Sequence, residues 1–220
     1  MNKNSLLESF DNNEYLFDKI SNDIYTTGYS INENAMPVEL LGELVEYLDS
    51  LNKAKFKSAK IGRNKQQKLM KVVRSDEIYW MTGKAEQEKS WVLWAENLQA
   101  YLNRRLFLGL FSFESHFAHY STGDFYKRHY DAFKGEANRV LSVVVYLNPE
   151  RDEKDGGELV IYLNDADREG IKIIPTLGTL VVFLSEDFAH EVLPTCVDRY
   201  SIAGWFRVSA STSDRVDPPT

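Results

Sequence analysis

The stretch from Phe113 to Val208 constrains the fold most. Five short segments rich in β-branched and aromatic residues follow one another there: Phe113–Tyr120, Val140–Leu147, Glu158–Leu163, Thr179–Leu184 and Tyr200–Val208. Segments of this length and composition read as strands. Asp155-Gly156-Gly157 and Leu177-Gly178 supply turn signals between them. Many short strands at close spacing point to a sandwich or jelly roll. The chain before this region has a different period. After Pro37, which suits a first helical turn, Leu40, Leu41, Leu44, Val45, Leu48 and Leu51 recur at helical spacing. A second helix is expected over about Gln87–Arg105, with Trp91, Trp94, Ala95, Leu98 and Leu102 on one face. These stripes read as core packed on a sheet, not as cofactor contacts. The expected class is therefore α+β, mainly β, in one domain over residues 1–220. Helical support would occupy about 14–105 and a β core about 106–210. Residues 1–13, which are polar, and the tail 211–220, which carries Pro218-Pro219, would be loose.

Bulk properties narrow the function classes. The chain has 220 residues, 43% of them hydrophobic and 27% charged, which is an ordinary globular composition. A single cysteine, Cys196, excludes an internal disulfide and fits a reducing, cytoplasmic compartment. The first residues carry acids where a secretory leader would need an apolar run, and no run approaches the length of a membrane-spanning helix. The net charge is −7, yet Lys53 to Arg74 holds nine basic residues and no acid. The plain reading is a solvated loop or strand edge. The sharper reading is an electrostatic lip for an acidic partner; the acidic chain as a whole weighs against nucleic acid.

The chemistry centres on the histidines. There are four: His116, His119, His129 and His190. In Arg128-His129-Tyr130-Asp131, an extended backbone would point His129 and Asp131 to the same side, where both can share one metal. His190, after the Thr179–Leu184 strand and beside Glu191, is the candidate third ligand. Two histidines and one carboxylate make the facial triad of non-haem iron(II) oxygenases, which leaves coordination positions open. His-x-Asp is a weak signal by itself, and the neighbours strengthen it. Arg199 opens the segment Arg199-Tyr200-Ser201-Ile202; a buried arginine there would need an anion, and a dicarboxylate supplies one in bidentate fashion. The alternative is a surface ion pair. Tyr146 ends the apolar run Leu141–Tyr146, and its hydroxyl needs a partner if buried; the alternative is a core tyrosine. His116 and Tyr120 would face one side of a regular strand, so His116 either lines a pocket or is a structural histidine, the second being preferred. His119 points the other way and reads as structural, and Cys196 as incidental.

Several runs together carry a family likeness: Tyr126-Lys127-Arg128-His129-Tyr130-Asp131, Val145-Tyr146-Leu147-Asn148, Asp155-Gly156-Gly157-Glu158-Leu159, His190-Glu191-Val192 and Arg199-Tyr200-Ser201-Ile202. In order and interval they resemble the prolyl-hydroxylase branch of the 2-oxoglutarate/iron(II) oxygenases over about residues 113–208. Upstream, Val73-Arg74-Ser75-Asp76-Glu77-Ile78-Tyr79-Trp80 is similar to a segment of the hypoxia-factor prolyl hydroxylases and their bacterial relatives. The resemblance implies a double-stranded β-helix (jelly-roll) core. It implies Fe(II), 2-oxoglutarate and O2 as cofactor and cosubstrates, with ascorbate as an optional addition. His129, Asp131 and His190 match the iron ligands. Arg199 and Tyr146 match the groups that hold the far carboxylate of 2-oxoglutarate, and Tyr120 lies one residue from the position of a second pocket tyrosine. Val144 and Val192 match apolar walls, and Trp80 and Trp205 match aromatics at the mouth. Asp76 and Arg139 match a pair expected to tether the segment before Trp80 to the core. The basic segment near 57–74 falls where relatives have a mobile substrate-covering loop. Ala203 departs from the animal enzymes, which have a hydroxylated residue there. The implied activity is 2-oxoglutarate- and O2-dependent hydroxylation, in the first instance prolyl 4-hydroxylation of a cytosolic protein or peptide, releasing succinate and CO2. Two alternatives stay open: a hydroxylase of another residue or small molecule, and a non-catalytic binding or sensing module.

Overall fold

The computed structural model describes residues 3–59, 73–132 and 138–209, with side chains from residue 13 onward. Among the described residues three helices precede the main strands: α1 (Lys3–Thr27), α2 (Val38–Ser50) and α3 (Glu86–Leu106). Eleven strands follow the order β1 (Tyr29–Asn32), β2 (Lys57–Ser58), β3 (Glu77–Trp80), β4 (Ser112–Tyr120), β5 (Tyr126–His129), β6 (Arg139–Tyr146), β7 (Leu159–Tyr162), β8 (Ile171–Ile173), β9 (Leu180–Leu184), β10 (Ala189–Val192) and β11 (Arg199–Arg207). They form two antiparallel sheets. The major one runs β1-β9-β6-β11-β4-β3-β2 and the minor one β5-β10-β7-β8. This is the expected α+β, mainly β architecture with a jelly-roll core.

Alternation along β6 shows how the layers are built. Leu141, Val143 and Val145 join the cluster that holds the helices: Leu16, Phe17, Ile20 and Ile24 of α1, Leu40, Leu44 and Leu48 of α2, and Trp91, Trp94, Leu98 and Leu102 of α3. Residues two apart share a face, so Ser142, Val144 and Tyr146 look the other way, toward the minor sheet. There Tyr146, Tyr120, Val181 and Phe183 meet Leu159, Ile161 and Val192. The helices thus stiffen the back of the major sheet, and the space between the sheets is left for a site.

Trp91 ties the helical layer to the sheet. It is fully buried, stacks on Trp94 at 5.4 Å, meets Phe113 at 5.8 Å, and its indole donates to Ser115 Oγ at 3.0 Å. Trp91→Ala should therefore cost about 3–5 kcal/mol through the cavity it leaves. Urea unfolding monitored by far-UV circular dichroism measures that loss.

Both expected helices are present within a residue or two of their expected ends, as are the five expected strands. One expectation is corrected. Of residues 1–13, expected to be loose, those from Lys3 onward are helical, because α1 runs from Lys3; residues 1–2 lie outside the described residues. Its C-terminal half is docked by Leu16, Phe17, Ile20 and Ile24, and extending an existing helix is cheap compared with nucleating one. The short strands β1, β2, β3, β5, β8 and β10 have too few residues for a period to show. The tail 211–220 and most of the basic segment, residues 60–72, lie outside the described residues. Its near end, β2, forms the outer edge of the major sheet.

Candidate metal centre and cosubstrate pocket

β5 and β10 are separated by some sixty residues in sequence yet lie side by side, with His129 directly opposite His190. Asp131 sits in a bend just past the end of β5, not within the strand. The expected reason for its convergence with His129, an unbroken extended backbone, is thus corrected: the turn swings the carboxylate inward. His129 Nε2 lies 3.5 Å from Asp131 Oδ1, and His190 Nε2 lies 3.5 Å from Asp131 Oδ2. One ligand atom from each residue falls within 4.8 Å of the others, and they are the one such group of three His, Cys, Asp or Glu residues found among the described residues.

The hydrogen bonds around the triad prepare it for a cation. Nδ1 of His129 lies 2.7 Å from the Lys127 carbonyl, and Nδ1 of His190 lies 3.2 Å from that of Phe188. A carbonyl only accepts, so each Nδ1 carries the proton and each Nε2 keeps its lone pair toward the shared point. Ser142 donates to Asp131 Oδ2 at 2.6 Å. Burial works against the charged form of Asp131, but His190, His129 and Ser142 outweigh it and hold the carboxyl below its usual range. Burial lowers His190 to about 4 against the pull of Asp131, so its imidazole is neutral near pH 7. Tyr126 stacks on His129 at 3.6 Å and Phe183 meets His190 at 4.8 Å, which limits how the rings can turn. Two imidazole nitrogens and one anionic oxygen, oriented before any ion arrives, suit a ferrous ion with open positions. They make a poor structural zinc site, which would close with a fourth ligand.

The triad opens onto a cavity of about 690 Å³ between the sheets. Arg199 lies along its wall and is 2% exposed. Its Nε donates to the Gly157 carbonyl at 2.8 Å and Nη1 to Ser201 Oγ at 3.1 Å. Among the described residues no carboxylate pairs with it. Its guanidinium carbon sits 4.7 Å from the Tyr120 ring and 5.1 Å from the Tyr146 ring. Tyr146 stands behind the cavity lining, fully buried, with a hydroxyl that has no hydrogen-bond partner. Burial pushes that phenol up to about 12, with the Arg199 cation pulling the other way. A buried cation without an anion beside a buried hydroxyl without a partner is an incomplete constellation, and a dicarboxylate completes it. Gly157 allows the close approach: its φ is +74°, and a Cβ there would lie 3.0 Å from Arg199 Cδ.

The other expected site residues divide. Val144, Val192, Tyr120, Trp80, Arg139 and Trp205 all line the cavity. Trp80 is 45% exposed and marks the rim. The expected Asp76–Arg139 tether is not formed. Asp76 is held by Arg74, whose Nε donates to Oδ1 at 2.7 Å. Arg139 pairs with Glu114 at 2.7 Å and stacks on Trp205 at 3.7 Å. The reason is proximity: Arg74 is two residues from Asp76, and Glu114 lies two residues along β4 from Ser112, which shares a row with Arg207 and Arg139 in the sheet register. His119 is on the opposite face, stacked on Tyr200 at 4.5 Å, as expected of a structural residue, and Cys196 is exposed in its loop. Ser142, Ser201, Arg74 and Tyr126 also line the cavity, and the motifs do not single them out as site residues. Ser142 was within reach of sequence reasoning, because it shares the period-2 face of Val144 and Tyr146.

His116 belongs to the cavity wall, against the structural reading preferred from sequence. Burial and then the Arg74 and Arg139 cations lower it to about 3, so the folded protein keeps it neutral. An unfolded chain protonates it from about pH 6.5 downward. Between these values the unfolded state binds the extra proton, so stability falls as pH falls, with a slope approaching about 1.4 kcal/mol per pH unit from this residue. His116→Phe should remove that component from the pH dependence of unfolding measured between pH 7 and 5.

A jelly roll carrying a two-histidine, one-carboxylate cluster beside a buried arginine defines a class, the non-haem iron oxygenases that consume a keto-diacid. Comparison with known proteins agrees. Residues 115–207 match the family model of the 2OG-Fe(II) oxygenase superfamily. The chain is 34% identical to a Pseudomonas putida prolyl-4-hydroxylase, with 88% of this chain and 98% of that one covered at a TM-score of 0.75. It is 27% identical to a Trichoplax adhaerens prolyl hydroxylase in complex with a hypoxia-inducible-factor oxygen degradation domain peptide fragment, with 94% of each chain covered and a TM-score of 0.78. A prolyl 4-hydroxylase from Phytophthora capsici, 20% identical with 89% and 65% covered and a TM-score of 0.70, shares the fold. The protein belongs to the 2-oxoglutarate/Fe(II) oxygenase family and is an Fe(II)- and 2-oxoglutarate-dependent dioxygenase.

Proposed function

We propose that this dioxygenase is a prolyl 4-hydroxylase acting on an exposed segment of a cytosolic protein, with the two sheets and their helical layer working as one catalytic domain. The observation that carries the reading is the convergence of His129, Asp131 and His190 within 4.8 Å of one another beside the unpaired, buried Arg199. In this reading the triad holds Fe(II). Arg199 takes the far carboxylate of 2-oxoglutarate, with the Tyr146 hydroxyl as a second donor and Tyr120 covering the guanidinium. Val144 and Val192 form apolar walls that exclude water from the reacting atoms. Ferrous iron with 2-oxoglutarate and O2, when bound, supplies the oxidation that puts hydroxyl on an unactivated C–H bond and releases succinate and CO2. The chain's own work is to keep coordination positions open, anchor the keto-diacid and aim one C–H bond.

The peptide substrate is supported by the Trichoplax relative, whose structure holds a peptide fragment, and by the rim, where the exposed Trp80, 6.3 Å from the buried Trp205, offers a flat apolar face to a pyrrolidine ring. The cytosolic setting is supported by the single cysteine; among the described residues no helix is long and apolar enough to cross a membrane. The decisive experiment is mass spectrometry of the host proteome with and without the gene, searching for one added oxygen on proline. Oxygen added to another residue type, or to none, would redirect the assignment.

The basic segment from Lys57 to Arg74 extends the proposal to the partner. Its two ends are at the site: Lys57 lies opposite Ile78 of β3, and Ile78 and Arg74 both line the cavity. Neutralising Lys65, Lys68 and Lys71 together should raise KM for a protein substrate several-fold at low salt, far more than it affects substrate-free turnover of 2-oxoglutarate. That difference should shrink as salt is added. Steady-state assays at two ionic strengths test it.

A further inference from the structure

Among the polar groups of the cavity wall, His116 has no use in the scheme above. His116 is 3% exposed, it lines the cavity, and its Nδ1 has no hydrogen-bond partner. A buried polar atom left unpaired is costly, so a native structure keeps one where something else satisfies it. The adjacent aromatic side chains offer no acceptor for the ring's N–H. Trp80 lies 4.9 Å away edge-on and Trp205 lies 5.4 Å away. An indole N–H only donates, and Trp205 Nε1 is itself buried without a partner. Opposite His116 in the register stand Trp80 on one side and Ala203 on the other, so neither adjacent strand brings an acceptor side chain. A neutral imidazole carries one N–H that needs an oxygen or nitrogen acceptor, and Nδ1 finds none among the described residues.

Position says which ligand brings the acceptor. The strand register sets Trp80, His116, Ala203 and Val144 in one row across β3, β4, β11 and β6. The row starts at the exposed Trp80 and ends on the cavity wall, so His116 is one strand in from the rim. The cosubstrate anchor, Arg199, faces Tyr120 in a row four residues along β4, roughly 13 Å away at about 3.4 Å per residue. His116 therefore belongs to the half of the cavity through which the substrate enters.

We propose that His116 is a substrate-binding residue whose imidazole N–H donates to a backbone carbonyl oxygen of the peptide presented to the metal. The aromatic face of Trp80 at the rim holds the side chain of the target residue, and His116 fixes the register of its main chain. The proposal rests on the peptide reading of the site given above.

The test compares His116→Phe, which keeps a ring without nitrogen, with His116→Gln, which keeps a donor. Each is assayed on the proline-bearing host peptide that the wild-type protein hydroxylates. His116→Phe should raise the peptide KM by about three- to tenfold, the range expected for one neutral hydrogen bond. The rise should exceed any change in KM for 2-oxoglutarate, and the hydroxyproline formed per succinate should fall. His116→Gln should recover most of both losses. Should the phenylalanine variant fail to fold, His116→Leu carries the same comparison. A peptide KM that is unchanged in a folded variant, a 2-oxoglutarate KM that rises as much, or a glutamine variant no better than phenylalanine would overturn the assignment. If the wild-type protein makes succinate but hydroxylates no peptide, the peptide reading itself has failed and this inference goes with it.

Discussion

His129→Ala and His190→Ala should each reduce succinate formation to background while leaving a folded protein. Each removes one of the three donors that meet within 4.8 Å, and two donors do not hold a ferrous ion in a defined geometry. Loss of an outer-shell partner alone typically costs 10–100-fold in metal affinity, so loss of a donor should cost at least about 100-fold. The imidazoles lie at the end of β5 and on β10, among partners that survive the substitution, so the expected drop in stability is small beside the drop in activity. The measurement is Fe(II) or Co(II) titration followed by calorimetry, run beside a succinate assay and a melting curve. Acid should release the metal as well, because each bound imidazole must give up its lone pair to a proton. Full activity in either variant would remove the metal assignment.

The second large effect is on 2-oxoglutarate. Arg199→Ala takes away a buried fork that has no carboxylate partner among the described residues, next to an unpartnered Tyr146 hydroxyl. Charge-assisted hydrogen bonds are worth about 1.5–3 kcal/mol each. Losing the pair should raise the KM for 2-oxoglutarate by roughly 100-fold, or about 2.7 kcal/mol. Arg199→Lys should fall between, keeping the charge but not the planar fork. Part of the loss in stability will come from the Gly157 carbonyl and Ser201, which the guanidinium now satisfies. A melting curve separates that part from the change in KM. A saturation curve for 2-oxoglutarate that does not move would show that the pocket runs in another direction.

The helices and main strands were legible because their periods are long enough to read. Leu40, Leu44 and Leu48 repeat through three turns, and Leu141 to Tyr146 alternates through a whole strand. Short strands such as β5 and β10, with four residues each, carry no period of their own and appear only once neighbours pair with them. The same limit explains the misplaced tether. Asp76 and Arg139 were matched by resemblance, whereas ion pairs go to the nearest opposite charge, and that depends on strand register.

For the site, the chain order already contained the choice of chemistry. Two histidines, one aspartate and one arginine at these intervals favour a ferrous centre with a diacid anchor, because donor type and net charge are properties of the residues themselves. What those residues could not state is that His129 faces His190, that Asp131 reaches the same point from a bend, that Ser142 supports it, or that His116 is buried in the wall without a partner. Each of these is a relation between segments far apart in sequence. It is set by which strands pair and in what register, and by the burial of both sheets' inner faces, and so it exists only once the chain has folded.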